Sequence, residues 1–272
     1  MAQPDRMFVK SLAKGMQLLE AFTAQRPRLT LTELSALTGM NKATVQRLTH
    51  TFLSLDYLGR DRHKQYFLAP KVLALGDAFK GGSDLRQLAG PPLERFSRQM
   101  GCTVNLAVLE DTQVVILHRH EVERFFKFDL RAGSRLPAYC TSMGKLLLAS
   151  LDDRELAARL KRIKLERLTP NTITDPAVLW EHLMKVRAAG MAEGKREASL
   201  ALHSRAVPIL DREGRALAAI NASLPAQGQR AAAKAVTKGL IQLGRELSSR
   251  LGYEGPYPAL RPPRSAPVCG KD

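Results

Sequence analysis

The first quarter of the chain places apolar residues every three or four positions, a spacing typical of short amphipathic helices. A first helix is predicted over residues 8–24 and a second over 31–37. Thr30 is a good N-cap for the second helix, and Gly39 accepts the positive φ that a tight turn after it requires. The apolar side of the first helix is predicted to comprise Leu12, Met16, Leu19, Ala21 and Phe22. These segments indicate the corner of a helix-turn-helix unit.

A third helix is predicted after Asn41, a common N-cap, with Val45, Leu48 and Phe52 toward the core. Its opposite face carries no acidic side chain. A helix that reads the DNA major groove needs hydrogen-bond donors, cations and small residues on such a face, and the first turn of a helix favours phosphate. The predicted DNA-contacting residues of this helix are Lys42, Ala43, Thr44, Gln46, Arg47 and His50.

Two short β-prone runs, 57–60 and 66–68, follow this helix and are joined by a basic tip. A hairpin next to a recognition helix forms a wing, from which Arg62 and Lys64 would contact the DNA backbone or minor groove. The alternative is an ordinary helical corner beside a solvated hairpin, because single helix-turn-helix patterns produce false positives. The order of the elements favours a winged helix-turn-helix domain over residues 1–70.

The rest of the chain alternates strand-like and helix-like patterns, and this order predicts an α+β domain with one antiparallel sheet covered by helices. Short apolar runs with turn signals between them indicate strands over 103–109, 114–119, 125–130, 191–196, 205–210 and 216–224. Helical spacing and capping residues indicate helices over 142–150, 152–162, 175–189 and 231–251.

The segment between the two domains is predicted to contain a linker helix, over 71–90. A helical pattern over 71–79 is followed by three small residues, 81–83, and a second helix over 85–100 should be interrupted at Pro91 and Pro92. We therefore expect an oligomerisation and effector domain over 91–253. The tail, 254–272, is rich in proline without periodicity and is predicted to be disordered.

The chain has 272 residues and a formal net charge of +16, which suits a partner that is a polyanion. Residues 1–80 carry 12 Lys and Arg against 6 Asp and Glu, and the remainder carries 30 against 20, so the basic excess is spread over both domains. No apolar run approaches the roughly 20 residues of a membrane span, and no signal-peptide core is seen. Three cysteines without a CxxC pair favour reduced thiols in the cytoplasm.

No catalytic motif stands out in the sequence. His118 and His120 lie two apart on a predicted strand, as metal ligands can, but no third ligand has a suitable spacing. Ser142 lacks a GxSxG motif, and Lys145 follows no phosphate-binding glycine loop. We expect a non-enzyme without cofactor or metal. The alternatives are a metal-dependent enzyme carrying a DNA-binding domain, with Cys140 as a further candidate, and a DNA binder without a sensor function.

Three segments in this order, FVKSLAKGMQLLEAF, LTLTELSALTGMNKATVQRLTHTF and LPAYCTSMGKLLLAS, resemble the IclR family of bacterial transcriptional regulators. The resemblance covers about residues 8–252. It implies a GAF-like C-terminal domain that binds a small effector and modulates binding to operator DNA. It also implies a homodimer or homotetramer that grips a palindromic operator.

The family resemblance further implies effector-binding residues at Tyr139, Ser142, Met143, His203, Ser204, Asn221 and Ser223. Independently, Asn221 and Ser223 lie two apart on an apolar strand and therefore share a face, which suits a pocket that orients a ligand. The alternative is that these two side chains form local hydrogen bonds inside the core.

The chain departs from the family pattern over 194–205, where Gly194 and Lys195 stand near the expected acidic pair and His203 near the expected arginine. These basic substitutions suggest an anionic ligand. The segments RPRLTLTELSALTGMNKATVQRLTH and GCTVNLAVLEDTQVVILHRHEVERFFKFDLRAGSRLPAYCTSMGK resemble most the subgroup that controls breakdown of aromatic acids such as protocatechuate and 4-hydroxybenzoate. An aromatic or dicarboxylic acid is therefore the expected effector.

Overall fold

A computed structural model describes residues 8–23, 25–75, 84–121, 130–225 and 230–260. The chain divides into two compact units, Met1–Ser83 and Asp84–Asp272. None of the helices in the described ranges is both long and apolar enough to cross a membrane.

The first unit is a winged helix-turn-helix. It comprises α1 (Lys10–Glu20), α2 (Leu31–Thr38), α3 (Lys42–Ser54) and the antiparallel strands β1 (Leu58–Arg60) and β2 (Tyr66–Leu68). Thr30 forms a reciprocal capping box with Glu33, and Gly39 ends α2 with a φ of 68°. Asn41 caps α3 by accepting a hydrogen bond from the Thr44 N–H at 2.8 Å. The predicted helices, turn and wing are confirmed.

The face of α1 that enters the core differs from the prediction. Leu18 and Phe22 are buried, whereas Leu12 and Met16 are 65% and 47% exposed. The reason is Gly15, which has no side chain and lets the Phe52 ring approach so closely that an added Cβ would lie 3.2 Å from it. Close contact between α1 and α3 therefore leaves Leu12 and Met16 outside the core, while the predicted Leu19, Ala21 and Phe22 pack in or against it.

The second unit is built on one antiparallel sheet of six strands in the order β5-β4-β3-β8-β7-β6. Its strands are β3 (Thr103–Glu110), β4 (Gln113–His120), β5 (Arg135–Pro137), β6 (Ala192–Lys195), β7 (Leu202–Leu210) and β8 (Ala216–Pro225). Its helices are α4 (Asp84–Met100), α5 (Ser142–Ala149), α6 (Asp153–Leu160), α7 (Pro176–Ala189) and α8 (Arg230–Arg250). The predicted α+β class is confirmed. The strand predicted over 125–130 lies almost wholly outside the described residues.

Each face of the sheet has its own apolar core. Side chains of α4 and α8, such as Leu93 and Leu240, pack on one face. Side chains of α5 to α7, such as Leu146, Leu156 and Leu183, pack on the other. The sheet is thus covered on both sides, and polar residues in its middle must find partners within the protein.

Helix α4 runs through Pro91 and Pro92 without the predicted interruption. A proline inside a helix costs about 3 kcal/mol because it removes a hydrogen bond and crowds the preceding turn. Ala89, Leu93 and Phe96 lie on both sides of the prolines and are buried against the sheet, and this burial offsets the cost. Of the predicted linker helix, residues 72–75 are helical, 76–83 lie outside the described residues, and 84–90 belong to α4.

The predicted disorder of the tail is wrong for residues 254–260. Tyr257 is 8% exposed, and its hydroxyl donates to the Pro208 carbonyl at 2.6 Å. Leu260 is equally buried in the core on the α5 face. The apolar anchors between the prolines hold this segment on the domain, while the rest of the tail, 261–272, lies outside the described residues.

Candidate functional site

A β-bulge in strand β4 decides which side chains face the α5 side of the sheet. Ala107 pairs with Ile116, but Leu106 pairs with His118, so Leu117 is an extra residue without a partner. Strict alternation from Ile116 would place the two histidines of β4 on the α5 side. The extra residue instead turns Arg119 to that side, next to Ile116.

The histidines consequently face α4. His118 Nε2 lies 3.5 Å from a carboxylate oxygen of Glu94, and His120 Nδ1 lies 2.9 Å from Ser97 Oγ. In the described part of the chain, no group of three or more His, Cys, Asp or Glu residues is placed to hold a metal ion. The two histidines therefore face α4 rather than the α5 side of the sheet, and the metal-dependent enzyme is not supported.

Polar side chains form two rows across the α5 face of the sheet. In the first row, Arg119 pairs with Asn105 and Asn105 with Asn221, one residue from each neighbouring strand. The second row contains Thr103, Ser223, Ser204 and Gly194, again in register on adjacent strands. Because strands lie about 4.8 Å apart, the rows bring residues distant in sequence into one continuous polar floor.

A chain of hydrogen bonds fixes this floor. Arg119 Nη1 donates to Asn105 Oδ1 at 2.9 Å, and Asn105 Nδ2 donates to Asn221 Oδ1 at 2.8 Å. Asn221 Nδ2 lies 3.5 Å from the hydroxyl of Ser142, which in turn is 2.9 Å from that of Ser204. Each amide is oriented by its neighbours, so the floor is rigid before any ligand arrives.

The floor closes one side of a cavity of about 120 Å³. Its walls are largely apolar and include Ile116, Leu130, Leu136, Cys140, Met143 and Leu202. Burial raises the pKa of the Cys140 thiol to about 12, so this side chain is protonated and acts as an apolar wall rather than as a nucleophile.

Arg119 is the one cation that lines the cavity among the described residues. Its side chain also pairs with Glu121, while its Nε has no hydrogen-bond partner among the described residues. Burial lowers the pKa of Arg119, but an arginine side chain stays charged in proteins at neutral pH. A buried guanidinium of this kind is well suited to a carboxylate.

The opposite end of the cavity carries a buried ion pair. Lys145 Nζ lies 2.5 Å from Glu197 Oε1, and both side chains are almost wholly buried. Burial lowers the pKa of Lys145, and the neighbouring carboxylate opposes that shift. Thr172 Oγ1 donates to the Glu197 carbonyl at 2.7 Å, so the segment after β6 is held firmly over the cavity.

Five of the predicted effector-binding residues line this cavity: Ser142, Met143, Ser204, Asn221 and Ser223. Two do not. His203 neighbours Ser204 on β7 and must face the other side of the sheet. The Tyr139 hydroxyl donates to the Glu166 carbonyl at 2.8 Å, away from the cavity.

Sequence reasoning missed Arg119, Asn105 and Thr103. Asn105 and Thr103 alternate on an apolar strand, the same signal that identified Asn221 and Ser223. The sequence carries no such signal for Arg119, because the bulge that turns its side chain toward the cavity leaves no mark in the alternation of polar and apolar residues.

In the first unit, the predicted DNA-contacting side chains lie on one exposed surface of α3. Lys42, Ala43, Gln46, Arg47 and His50 are exposed and Thr44 is half-buried. Thr49 points inward, and its hydroxyl donates to the Gln46 carbonyl. The outward face thus presents hydrogen-bond donors and two cations, Lys42 and Arg47, without an acidic residue between them.

The wing tip is shaped by Asp61. Its carboxylate accepts hydrogen bonds from the His63 and Gln65 N–H groups and pairs with Arg28 at 2.9 Å. These contacts hold Arg62 and Lys64 exposed at the tip. Among the described residues, neither Arg62 nor Lys64 has a carboxylate partner, and the same holds for Lys42 and Arg47 on α3.

The two units thus define a class of protein, a DNA-binding regulator with a separate ligand-binding domain. A family model described as the IclR helix-turn-helix domain matches residues 11–62. A second, described as the bacterial transcriptional regulator IclR C-terminal, matches residues 80–249. The chain belongs to the IclR family of bacterial transcriptional regulators.

The chain is similar to regulators named for aromatic catabolism. It is 40% identical to the Pca regulon regulatory protein of Pseudomonas putida, over 80% of this chain and 75% of the relative. It is 33% identical to the p-hydroxybenzoate hydroxylase transcriptional activator of Acinetobacter baylyi, over 79% and 80%. A crystal structure of an IclR homolog from Microbacterium hydrocarbonoxydans, complexed with 4-hydroxybenzoate, matches with a TM-score of 0.78 and 26% identity, over 89% and 99%.

Proposed function

We propose that this regulator controls genes for the breakdown of aromatic acids, and that a small organic acid bound in the cavity of the second unit modulates its binding to operator DNA. The observation that carries the proposal is the buried Arg119 on a rigid polar floor. The names of the relatives and the 4-hydroxybenzoate bound by the homolog support the same ligand class.

The chemistry of the cavity favours a carboxylate attached to an apolar body. Arg119 supplies the charge for the carboxylate, and hydroxyls such as those of Thr103 and Ser223 supply further hydrogen bonds. The apolar walls suit an aromatic ring. A dicarboxylic acid would place its second carboxylate near Glu197 unless both charges reach Arg119, so an aromatic monocarboxylate fits better.

We assign the outward face of α3 to base edges and the wing tip to phosphates. Ala43, Gln46, Arg47 and His50 are placed for the major groove, and Lys42 and Thr44 lie in the first turn, where phosphate is favoured. Arg62 and Lys64 would hold the DNA backbone beside it.

The assembly that this function needs is a homodimer or a dimer of dimers. An exposed apolar stripe, formed by Leu12 and Met16 on α1 and by Phe8 just before it, supports contact with a second copy. Two-fold protein symmetry then matches a palindromic operator. Effector control requires that the acid and the operator each bind one arrangement of this assembly more tightly than another. Binding of the acid then changes the affinity for the operator, and the operator changes the affinity for the acid by the same factor.

We infer that the protein works in the cytoplasm, where its DNA is, and that it is not an enzyme. The candidate catalytic groups support this inference, because the thiol of Cys140 is protonated and the two histidines of β4 face α4, away from the cavity. Elemental analysis of the purified protein tests this inference, because a stoichiometric metal ion would support the alternative of a metal-dependent enzyme.

The test of the proposal is calorimetric titration of the full chain with 4-hydroxybenzoate, protocatechuate and β-ketoadipate. We expect saturable binding of at least one aromatic acid and a change in operator affinity when it is present. No binding of any of the three acids would overturn the ligand class. Binding without any change in operator affinity would overturn the regulatory role while leaving the pocket intact.

A further inference from the structure

A second concavity lies at the edge of the sheet, outside the cavity described above. It encloses about 590 Å³ and is lined by Asn171, His182, Lys195, Arg196, Glu197 and His203. These residues come from α7, the loop before it, the end of the edge strand β6 and the start of β7. The proposed effector cavity and this concavity share one side chain, Glu197.

Three side chains that line this concavity each carry a buried polar atom without a hydrogen-bond partner among the described residues: His182 Nε2, His203 Nε2 and Glu197 Oε2. Buried polar groups are nearly always paired, and an unpaired one destabilises the fold. Three such atoms around one concavity indicate a ligand that pairs with them. Both imidazoles are half-buried, and both side chains line the concavity.

The charge around the concavity is positive. Lys195 and Arg196 lie at its rim, and Lys145 neutralises Glu197 from behind. Burial is the largest cause that lowers the pKa values of His182 and His203, and cations such as Lys195 lower them further, whereas Glu197 opposes the shift at His182 and Glu193 opposes it at His203. Lys195 pairs with Glu193 at 3.1 Å while 72% exposed, and such a surface pair is weak enough to exchange for a ligand. The site therefore favours an anion.

The ligand must also donate a hydrogen bond, because Glu197 Oε2 can only accept one. In the described part of the chain these side chains do not converge as metal ligands. We propose that the concavity binds inorganic phosphate, a small oxyanion that retains a proton at neutral pH, with its oxygens toward the two histidines and Lys195 and its P–OH toward Glu197.

This site accounts for the basic substitutions that the sequence places at the positions of an acidic pair and an arginine. Lys195 and His203 do not face the effector cavity; they line this concavity instead. The site itself does not depend on the proposed effector function. The coupling of this site to effector binding rests on the proposed function. Glu197 lines both the effector cavity and this concavity, so an anion bound in the concavity would change the affinity of the cavity for an acid.

The test compares phosphate with sulfate in calorimetric titrations of the full chain, at pH 7 and matched ionic strength. The two anions have similar size, but phosphate carries a proton at this pH and sulfate does not. We expect saturable phosphate binding and at least about tenfold weaker sulfate binding, since sulfate would meet the Glu197 carboxylate without a hydrogen bond. Equal binding of the two anions, or no saturable phosphate binding, overturns the proposal.

Variants locate the site. His182→Ala and His203→Ala should each weaken phosphate binding about tenfold, and Lys195→Ala should weaken it by a smaller factor. Lys161→Ala removes another exposed lysine of the same unit outside the concavity and should leave phosphate binding unchanged. Circular dichroism confirms folding of each variant. If folded protein with both histidine substitutions still binds phosphate, the assignment of the site is overturned. The titrations with aromatic acids test the proposed function separately, so a failure of one proposal can be told from a failure of the other.

Discussion

The outward face of α3 and the floor of the effector cavity carry the same kinds of side chain in opposite settings. Gln46 and Arg47 on α3 are exposed, and Arg47 has no carboxylate partner among the described residues. On the sheet, Asn105 is buried, the Arg119 side chain is only 11% exposed, and a hydrogen bond links the two. The face of α3 is therefore solvated and its side chains can adapt, whereas the floor of the cavity is desolvated and rigid.

This difference in exposure determines which kind of ligand each surface binds best. Exposed cations interact weakly one by one, so they suit a polyanion that many of them contact together. A buried guanidinium interacts far more strongly with a single charge because the surrounding dielectric is low. Under the proposed function, arginine serves DNA on α3 and a small acid in the cavity, and its environment decides which.

The largest expected effect comes from breaking the buried ion pair. Lys145→Met leaves the Glu197 carboxylate buried without its cation and should destabilise the second unit by about 3–5 kcal/mol. Urea unfolding monitored by circular dichroism measures this loss. The double variant Lys145→Met, Glu197→Leu should recover much of the lost stability, because no unpaired charge is then buried. If it were as unstable as Lys145→Met alone, Lys145 would stabilise the unit by something other than its pairing with Glu197.

The next effect concerns the buried arginine. Arg119→Met should weaken binding of the aromatic acid by about 10- to 100-fold, since a charge-assisted hydrogen bond contributes about 1.5–3 kcal/mol, while operator affinity without acid stays unchanged. Calorimetry and gel-shift titration measure the two affinities. Arg135→Met removes a half-exposed arginine of the neighbouring strand β5 as the matched control. Unchanged acid binding in Arg119→Met would place the carboxylate elsewhere.

On the exposed surface, Arg47→Ala should weaken binding of the specific operator by about 1–3 kcal/mol, the usual contribution of a base contact. Binding of the acid should be retained, because the substitution lies in the other unit. Fluorescence anisotropy with operator and scrambled DNA gives the specificity ratio. A parallel loss of acid binding would instead indicate misfolding of the variant.

The smallest effect is expected at the wing. Lys64→Ala should weaken binding to operator and scrambled DNA alike, and it should reduce the slope of log affinity against log salt by about 0.9 if the lysine neutralises one phosphate. Affinities measured at several salt concentrations give the slope. Lys161→Ala, in the second unit, is the control whose slope should match that of the unaltered protein.

Local patterns sufficed for the first unit. The caps Thr30 and Asn41, the turn at Gly39 and the polar face of α3 depend on residues within a few positions of each other. The exception is α1, whose buried face depends on how closely Phe52 of another helix approaches Gly15. Such a contact between distant residues leaves no periodic signal in either helix.

The second unit shows where local patterns fail. Continuity of α4 through two prolines depends on burial against the sheet, and order in residues 254–260 depends on a place for Tyr257 beneath α8. His203 was predicted to lie in the cavity with Ser204, although neighbours on a strand face opposite sides. The error came from treating a segment of family resemblance as one surface.

By itself, the sequence determined the winged helix-turn-helix, the α+β class of the second domain and five of the residues that line its cavity, because turns, caps and alternation act over short distances. Only the tertiary structure decided that Arg119 completes that cavity and that Lys195 and His203 lie outside it. The physical reason is that a single unpaired residue, Leu117, shifts the register of β4 against β3 and reverses the side to which every later side chain of that strand points.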